Sequence, residues 1–360
     1  AMTYRAAVGR ALGRSAEREK AQREVLMRHA FGDGPSGFAV GQQRTNEEIA
    51  VLMGLTPERV RCLLRQAIRE VPLVADHDPL DVLYEDDELL VVDKPPGVRA
   101  GPVHRFVGGS LLNRAIGHLG GAQPWVVHRL DMYTSGVTVF AKTKGGAANL
   151  AGQFSSKTAR KTYIALAAGV PGGGAWTCDA PLGKAPGHAF AQAVVEGGQE
   201  SSTGFEVAAA SKDADVGGAA GGLQWAELAP PGMGSSRGAS LVVASPLTGR
   251  THQIRVHLAS SGHPIIGDDI YGCVVPSLMP RQALHAARLQ LVHPGTGEKV
   301  AFAAPFPADF AHCMRELGIP RPDMSAVFEA GAGAGAEARR GRSCSSCRTR
   351  WRSCGSSTRT

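Results

Sequence analysis

The chain has 360 residues, 43% of them hydrophobic and 20% charged, enough for one large domain or two smaller ones with a full core. No apolar run approaches the roughly 18 residues of a spanning helix, and no short basic stretch leads into an apolar core as in a secretory signal, so no membrane partner is expected. The formal net charge is +7, but residues 331–360 carry seven Arg against Glu337, a local +6 that leaves +1 for residues 1–330, so a nucleic-acid surface on the folded part must be a local patch.

Seven Cys at scattered positions (62, 178, 273, 313, 344, 347, 354) are an odd count, which suits a reducing compartment. The compartment is otherwise open. Cys344-Ser-Ser-Cys347, with Cys354 nearby, has the spacing of half a zinc site and lacks a local fourth ligand, so no metal is expected.

In chain order, residues 1–44 hold a predicted helix over about 15–30 and then Gly-rich sequence, FGDGPSGFAVG, that reads as loop. At 45–72, Thr45 and Glu48 form a capping box for a short helix through Met53. Gly54-Leu55 turns the chain, and Thr56 with Pro57 opens a second helix. There Val60, Leu63, Leu64, Ala67 and Ile68 make an apolar stripe, while Arg61, Arg65 and Arg69 line another face. Two short helices about a Gly turn read as a helix-turn-helix, and the stretch is similar to that of sigma-factor region three. Two uses are open for it: a helical hairpin packed on the rest of the protein, or direct, weak DNA or RNA contact.

Residues 73–81 read as linker. From Val82, VLYEDDELLVVDKPPGV predicts strand, acidic turn, strand and a Pro-Pro-Gly stop, with Lys94 either near RNA or a surface charge. Leu111–Leu119 is a predicted short helix. The stretch VVHRLDMYTSGVTVF at 126–140 sets a polar cluster between two apolar runs: strand, exposed loop, strand. On the residues alone, Arg129 and Asp131 could be a loop ion pair or part of a reactive site held between rigid elements. Gly145–Phe154 reads as helix and 157–169 as loop plus strand. There a Tyr such as Tyr163 would usually belong to the core. A Gly/Ala/Ser-rich span over about 196–239 reads as an insertion with short strands at Phe205–Ala208 and Leu223–Leu228. Residues 241–261 predict strand, Thr-Gly turn and helix, ended by Gly262. Asp268 and Asp269 are adjacent carboxylates in a Gly-bounded loop and are read as structural. Past about residue 329 the chain is Gly/Ala- and then Arg/Ser/Cys-rich and is expected to be disordered.

HRLDMYTSG at 128–136 resembles the catalytic motif of the RluA-type RNA pseudouridine synthases, in which the Asp is the essential residue. GRTHQIRVH at 249–257 is a second long match. The DKPxG ending at Asp93, Lys94, Pro95 and Gly97, the K-x-Y-x-A strand carrying Tyr163, GHPIIGDDIYG at 262–272 and the closing strands after Ala283 follow in the family's order. The resemblance covers about residues 82–310. It implies a catalytic domain over 82–328 with Asp131, Tyr163 and Arg255 as catalytic residues. Arg129, Arg250 and His252 are implied as substrate-binding residues, and Arg129 would fill the space left by a flipped base or else contact phosphate or a neighbouring acid.

Converting uridine to pseudouridine breaks N1–C1′, turns the base and joins C5 to C1′. No redox change occurs, so no cofactor is expected, and phosphate-binding loops, HExxH and paired CxxC motifs are absent from the sequence. The reaction needs an anionic group at the anomeric carbon. A carboxylate serves either by adding to C1′ or by stabilising and deprotonating the sugar as the base leaves. Arg255 would keep Asp131 ionised against burial. The expected partner is RNA, ribosomal or transfer, and the protein a monomer. A noncatalytic nucleic-acid-binding protein that uses 45–72, or an inactive synthase fold that binds RNA, are the alternatives. Frequent short strands with occasional helices fit an α+β domain with a mixed, mainly antiparallel sheet, which the family comparison describes as curved, with the cleft across it.

Overall fold

The structure, a computed structural model, describes residues 45–105, 107–211, 238–272, 274–325 and 328. The helix expected at 15–30, the strand at Leu223–Leu228, the side chains of Ile68 and Arg69, and the tail with its Cys344-Ser-Ser-Cys347 pair lie outside these described residues.

Of the described residues, those up to Ala75 form one compact unit with Pro102–Gly108. The Thr45 hydroxyl accepts the Glu48 N–H while the Glu48 carboxylate accepts the Thr45 N–H, so the capping box opens α1 (Asn46–Met53). Gly54, at φ 63°, ends it in the left-handed conformation that favours glycine. Thr56 then accepts the Arg59 N–H at the start of α2 (Pro57–Glu70). Ile49, Ala50, Val60 and Leu63 bury a small core of their own. Arg61 pairs with Glu58 at 2.7 Å, and Arg65 is exposed.

The second unit is built on a ten-stranded sheet among the described residues. Its path begins with β1 (Asp81–Glu85), β2 (Leu89–Lys94) and β4 (Ser135–Ala141), and continues through β11 (Leu284–Val292) and β5 (Arg160–Ala168). β10 (Ala239–Pro246), β9 (Thr203–Ala210) and β6 (Ala175–Cys178) complete it. β3 (Trp125–Val126) joins β4, and β12 (Lys299–Ala303) joins β11. All pairs are antiparallel except β4 with β11. β7 (Leu182–Lys184) and β8 (Gln192–Val194) form a separate hairpin. Helices α3 (Leu111–His118), α4 (Lys144–Ser155), α5 (Gln253–Ser260) and α6 (Ala308–Glu316) flank the sheet, which makes the class α+β.

The central strands are near-continuous apolar runs because they are covered on both faces: every residue of β4 and the last five of β5 are buried. Edge strand β1 is largely exposed, as its charged ends require. β9 lies inside the span read as an insertion, 196–239, yet pairs with both β10 and β6. It contains the short strand expected at Phe205–Ala208 and extends it at both ends, with Phe205 buried in the core.

Helix α5 is unlike a surface helix. Six successive residues, Gln253–Leu258, are buried, so its polar side chains must find partners inside the protein. Gln253 bonds Thr248, Ser202 and Thr203, and Arg255 bonds Asp268. That enforced pairing orients the site.

Candidate active site

Asp131 lies in the loop between β3 and β4, at the wall of an open cleft that Tyr163, Lys161, His252 and Arg255 also line. The loop is held from below. His128, expected in an exposed cluster, instead accepts the Val139 N–H at 3.0 Å and stacks on Phe154. Burial, with the nearby Lys161 charge, pushes its imidazole down to about 4, so the ring is a neutral clamp. Thr134 and Ser135 are buried and bond Gln282 and His285. Apolar sequence on either side made these residues read as loop, but the strand's hydrogen-bonding begins among them.

Lys94 departs from both expectations for it. It is fully buried, and its ammonium donates to the carbonyls of Pro95 and Met132, each at 2.9 Å. Met132 follows Asp131, so this lysine ties the end of β2 to the loop that carries Asp131. Burial and the Arg281 charge lower its pKa to about 7, against the opposing pull of Asp131 and Asp93.

Arg255 reaches Asp131 from α5, with Nη1 3.5 Å from Oδ2. It spends its shorter bonds elsewhere: Nε and Nη2 each donate at 2.7 Å to the two oxygens of Asp268, which is itself wholly buried. Asp268 also accepts the N–H groups of Ile270 and Tyr271. Burial works against the Arg255 charge, but Asp268 and Asp131 outweigh it and the pKa is raised. Arg255 therefore stands as a fixed cation beside a carboxylate it does not fully engage.

The other expected residues meet at the same cleft. Tyr163 lines it from β5, its phenol pushed upward by burial and then by the Asp131 charge. His252 brings Nε2 to 3.9 Å from Asp131. Arg250 lines the rim, its Nε donating to the Glu200 carbonyl. Arg129 is exposed at the rim and forms no ion pair with Asp131 among the described residues. Lys161 was missed: it lines the cleft two residues before Tyr163, on the same face of β5, and donates to the Thr248 carbonyl at 2.8 Å. Strand alternation around Tyr163 was the available signal.

Among the described residues no group of three His, Cys, Asp or Glu could hold a metal ion, and no helix is long and apolar enough to cross a membrane.

A family model described as RNA pseudouridylate synthase matches residues 88–260. The chain is 38% identical over 247 residues to an uncharacterized RNA pseudouridine synthase of Bacillus subtilis (strain 168), covering 68% of this chain and 74% of that one. It is 33% identical over 282 residues to ribosomal large subunit pseudouridine synthase D of Nitrosomonas europaea, covering 74% of each. Its fold is similar to that of human RNA pseudouridylate synthase domain containing 1, with a TM-score of 0.55, 25% identity and coverage of 71% of this chain and 96% of that one. The motifs, the sheet and these likenesses agree: the chain belongs to the RluA-type RNA pseudouridine synthase family and is an RNA pseudouridine synthase.

Proposed function

We propose that Asp131 is the carboxylate that acts at C1′ of a uridine flipped out of ribosomal RNA. The observation that carries this reading is the Arg255–Asp131 contact of 3.5 Å at the cleft, with the Asp131 side chain still 22% exposed. A fixed cation stands beside it, and the remaining exposure leaves the oxygens open to a substrate. The isomerisation balances internally: N1–C1′ breaks, C5–C1′ forms, the C5 proton leaves and N1 takes one up. Tyr163, kept a neutral phenol by its surroundings, packs against the base and donates a hydrogen bond rather than serving as a phenolate.

Extruding the uridine costs a few kcal/mol, least in loops and single strands. Arg129, exposed and unpaired with Asp131, is suited to enter the vacated stack, where a planar guanidinium can stack on bases and bond phosphate. Arg250 at the rim is suited to a backbone phosphate. The ribosomal substrate rests on the name of the Nitrosomonas relative. The exposed Arg65 of α2 adds a weak nucleic-acid contact.

Carbodiimide labelling of ribosomal and transfer RNA incubated with wild type and with Asp131→Asn tests both parts. Label in ribosomal RNA with wild type only is the expected result. Label that survives in Asp131→Asn removes Asp131 from the chemistry, and label confined to transfer RNA removes the ribosomal substrate.

A further inference from the structure

His252 stands at φ 56°, ψ 19°, a left-handed conformation uncommon for a residue with a Cβ, and it precedes α5 without a side-chain bond to the helix. Its ring is thus free of the capping work usual at that position. Instead Nδ1 lies 2.7 Å from the Tyr271 hydroxyl, and Nε2 faces Asp131 at 3.9 Å.

The Tyr271 oxygen is already committed on its other side. It accepts the backbone N–H of Gln192, at the start of β8, at 2.7 Å. A backbone amide can only donate there, and among the described residues His252 Nδ1 is the other hydrogen-bond partner of this hydroxyl. The phenol proton then has His252 Nδ1 as its acceptor, and a neutral imidazole that accepts at Nδ1 carries its own proton at Nε2.

We propose that Tyr271 is a positioning residue: the chain Gln192 N–H to Tyr271 O–H to His252 Nδ1 holds His252 in its Nε2–H tautomer, so that the ring offers a hydrogen-bond donor to an oxygen of the nucleotide bound at Asp131. This rests on Asp131 being the acting carboxylate. Two further contacts support it. The Tyr271 ring lies 5.0 Å from the Arg255 guanidinium carbon and meets the His252 ring edge-on at 5.5 Å and 71°. One side chain therefore braces both cleft groups that face Asp131. The 3.9 Å gap is too long for a hydrogen bond, so the Nε2 proton is available to substrate. Burial, Arg255 and Arg129 disfavour a charged His252, Asp131 and Asp268 favour it, and the net lowering keeps the ring neutral at neutral pH.

The test is a long-range proton–nitrogen correlation spectrum of the ¹⁵N-labelled full chain, with the His252 signals assigned by their loss in His252→Gln. Wild type should show a pyridine-type Nδ1 and a pyrrole-type Nε2. Tyr271→Phe keeps the ring and removes only the hydroxyl; it should mix the tautomers and lower kcat roughly tenfold, the worth of one hydrogen bond. His252→Gln, whose amide reaches the Nε2 position, should retain more activity than His252→Asn, although Asn suits the left-handed backbone better. An Nδ1–H tautomer in wild type overturns the proposal whether or not Tyr271→Phe folds. So does a Tyr271→Phe spectrum and kcat like those of wild type. A tautomer shift with unchanged kcat, or Asn outperforming Gln, overturns the donor role. If Asp131→Asn remains active, the Asp131 reading fails, and the spectrum still decides the tautomer separately.

Discussion

Arg255 gives Asp268 two hydrogen bonds of 2.7 Å and Asp131 a single contact of 3.5 Å. The buried bidentate pair fixes the guanidinium plane, because a planar fork on a carboxylate has little freedom left. What remains of the cation's field falls on Asp131 and on the exposed Asp269. A carboxylate satisfied by its own bidentate partner would have to break that pairing to meet a substrate; Asp131 does not.

Removing Asp268 should therefore damage the fold as well as the site. Asp268→Ala leaves a buried guanidinium with only 3.5 Å contacts to Asp131 and Asp269, a loss expected at about 3–5 kcal/mol in urea denaturation. Asp269 is 65% exposed, and Asp269→Ala should cost about 1 kcal/mol or less. Equal midpoints for the two variants would refute the assignment of Asp268 as the anchor.

Lys94 should separate activity from stability. Its ammonium holds the Met132 carbonyl, but that carbonyl also accepts the Gly97 N–H at 2.9 Å, so Lys94→Met leaves no orphaned acceptor there. The substitution also removes a charge from a buried site. The expected outcome is a midpoint at or above that of wild type with kcat lowered, because the loop that carries Asp131 loses a tether. The pH dependence has a definite sign. With the folded pKa lowered to about 7, the unfolded chain holds more protons between there and the ordinary lysine value of 10.5, so wild-type stability should rise with pH across that window. Lys94→Met should flatten the rise, and an unchanged slope would count against a buried, titrating Lys94.

The architecture was largely legible in the residues. The capping box at Thr45, the apolar runs of β2 and β4 and the strand, Thr-Gly turn and helix over 241–261 all follow from local chemistry, and each forms where that chemistry says. The misreadings share one cause. Lys94, His128, Thr134 and Ser135 are polar residues beside apolar runs, and polarity alone suggests a surface. Their burial depends on partners far away in sequence: Met132 for Lys94, Gln282 for Thr134, His285 for Ser135. The role of Asp268 was half visible. Its structural character could be inferred from the Gly-bounded loop, but its hold on Arg255 depends on how that loop folds back against α5.

Acid should destabilise the protein through two imidazoles, the half-buried His128 and the buried His285. His128 is pushed down to about 4 by burial and Lys161, and His285 to about 3 by burial and Arg281. Below the unfolded histidine value of about 6.5 the unfolded chain takes up protons that the folded one refuses, so stability should fall as pH drops from there to about 4. Among the described residues His285 Nε2 has no hydrogen-bond partner, and Ile164, Ala287 and Phe306 line the same small cavity as the ring. His285→Leu should therefore fold and show a shallower loss of melting temperature between pH 6.5 and 4. A slope as steep as that of wild type would mean that His285 does not contribute.

Gly136, the last residue of HRLDMYTSG, meets the tightest constraint in the loop. Its φ is 116°, and a Cβ built there would come within 2.2 Å of the Ala286 carbonyl oxygen on β11. Both problems are backbone ones, so no rotamer relieves them. β4 and β11 pair in parallel at Gly136 and Ala286, the point where the strand leaving Asp131 joins the strand that lines the cleft through Leu284. Gly136→Ala must separate the strands or tilt the loop, and about 3 kcal/mol or more of stability should be lost. Gly152 supplies the contrast: it lies within α4 with open space around the position of a Cβ, and Gly152→Ala should gain about 1 kcal/mol from helix propensity. Urea denaturation of the two variants, with carbodiimide labelling of product RNA, separates the cases. Gly136→Ala should lose stability and pseudouridine formation together, while Gly152→Ala keeps activity with a raised midpoint. A Gly136→Ala protein as stable and active as wild type would show that the close approach of β4 to β11 is not needed to hold Asp131 in place.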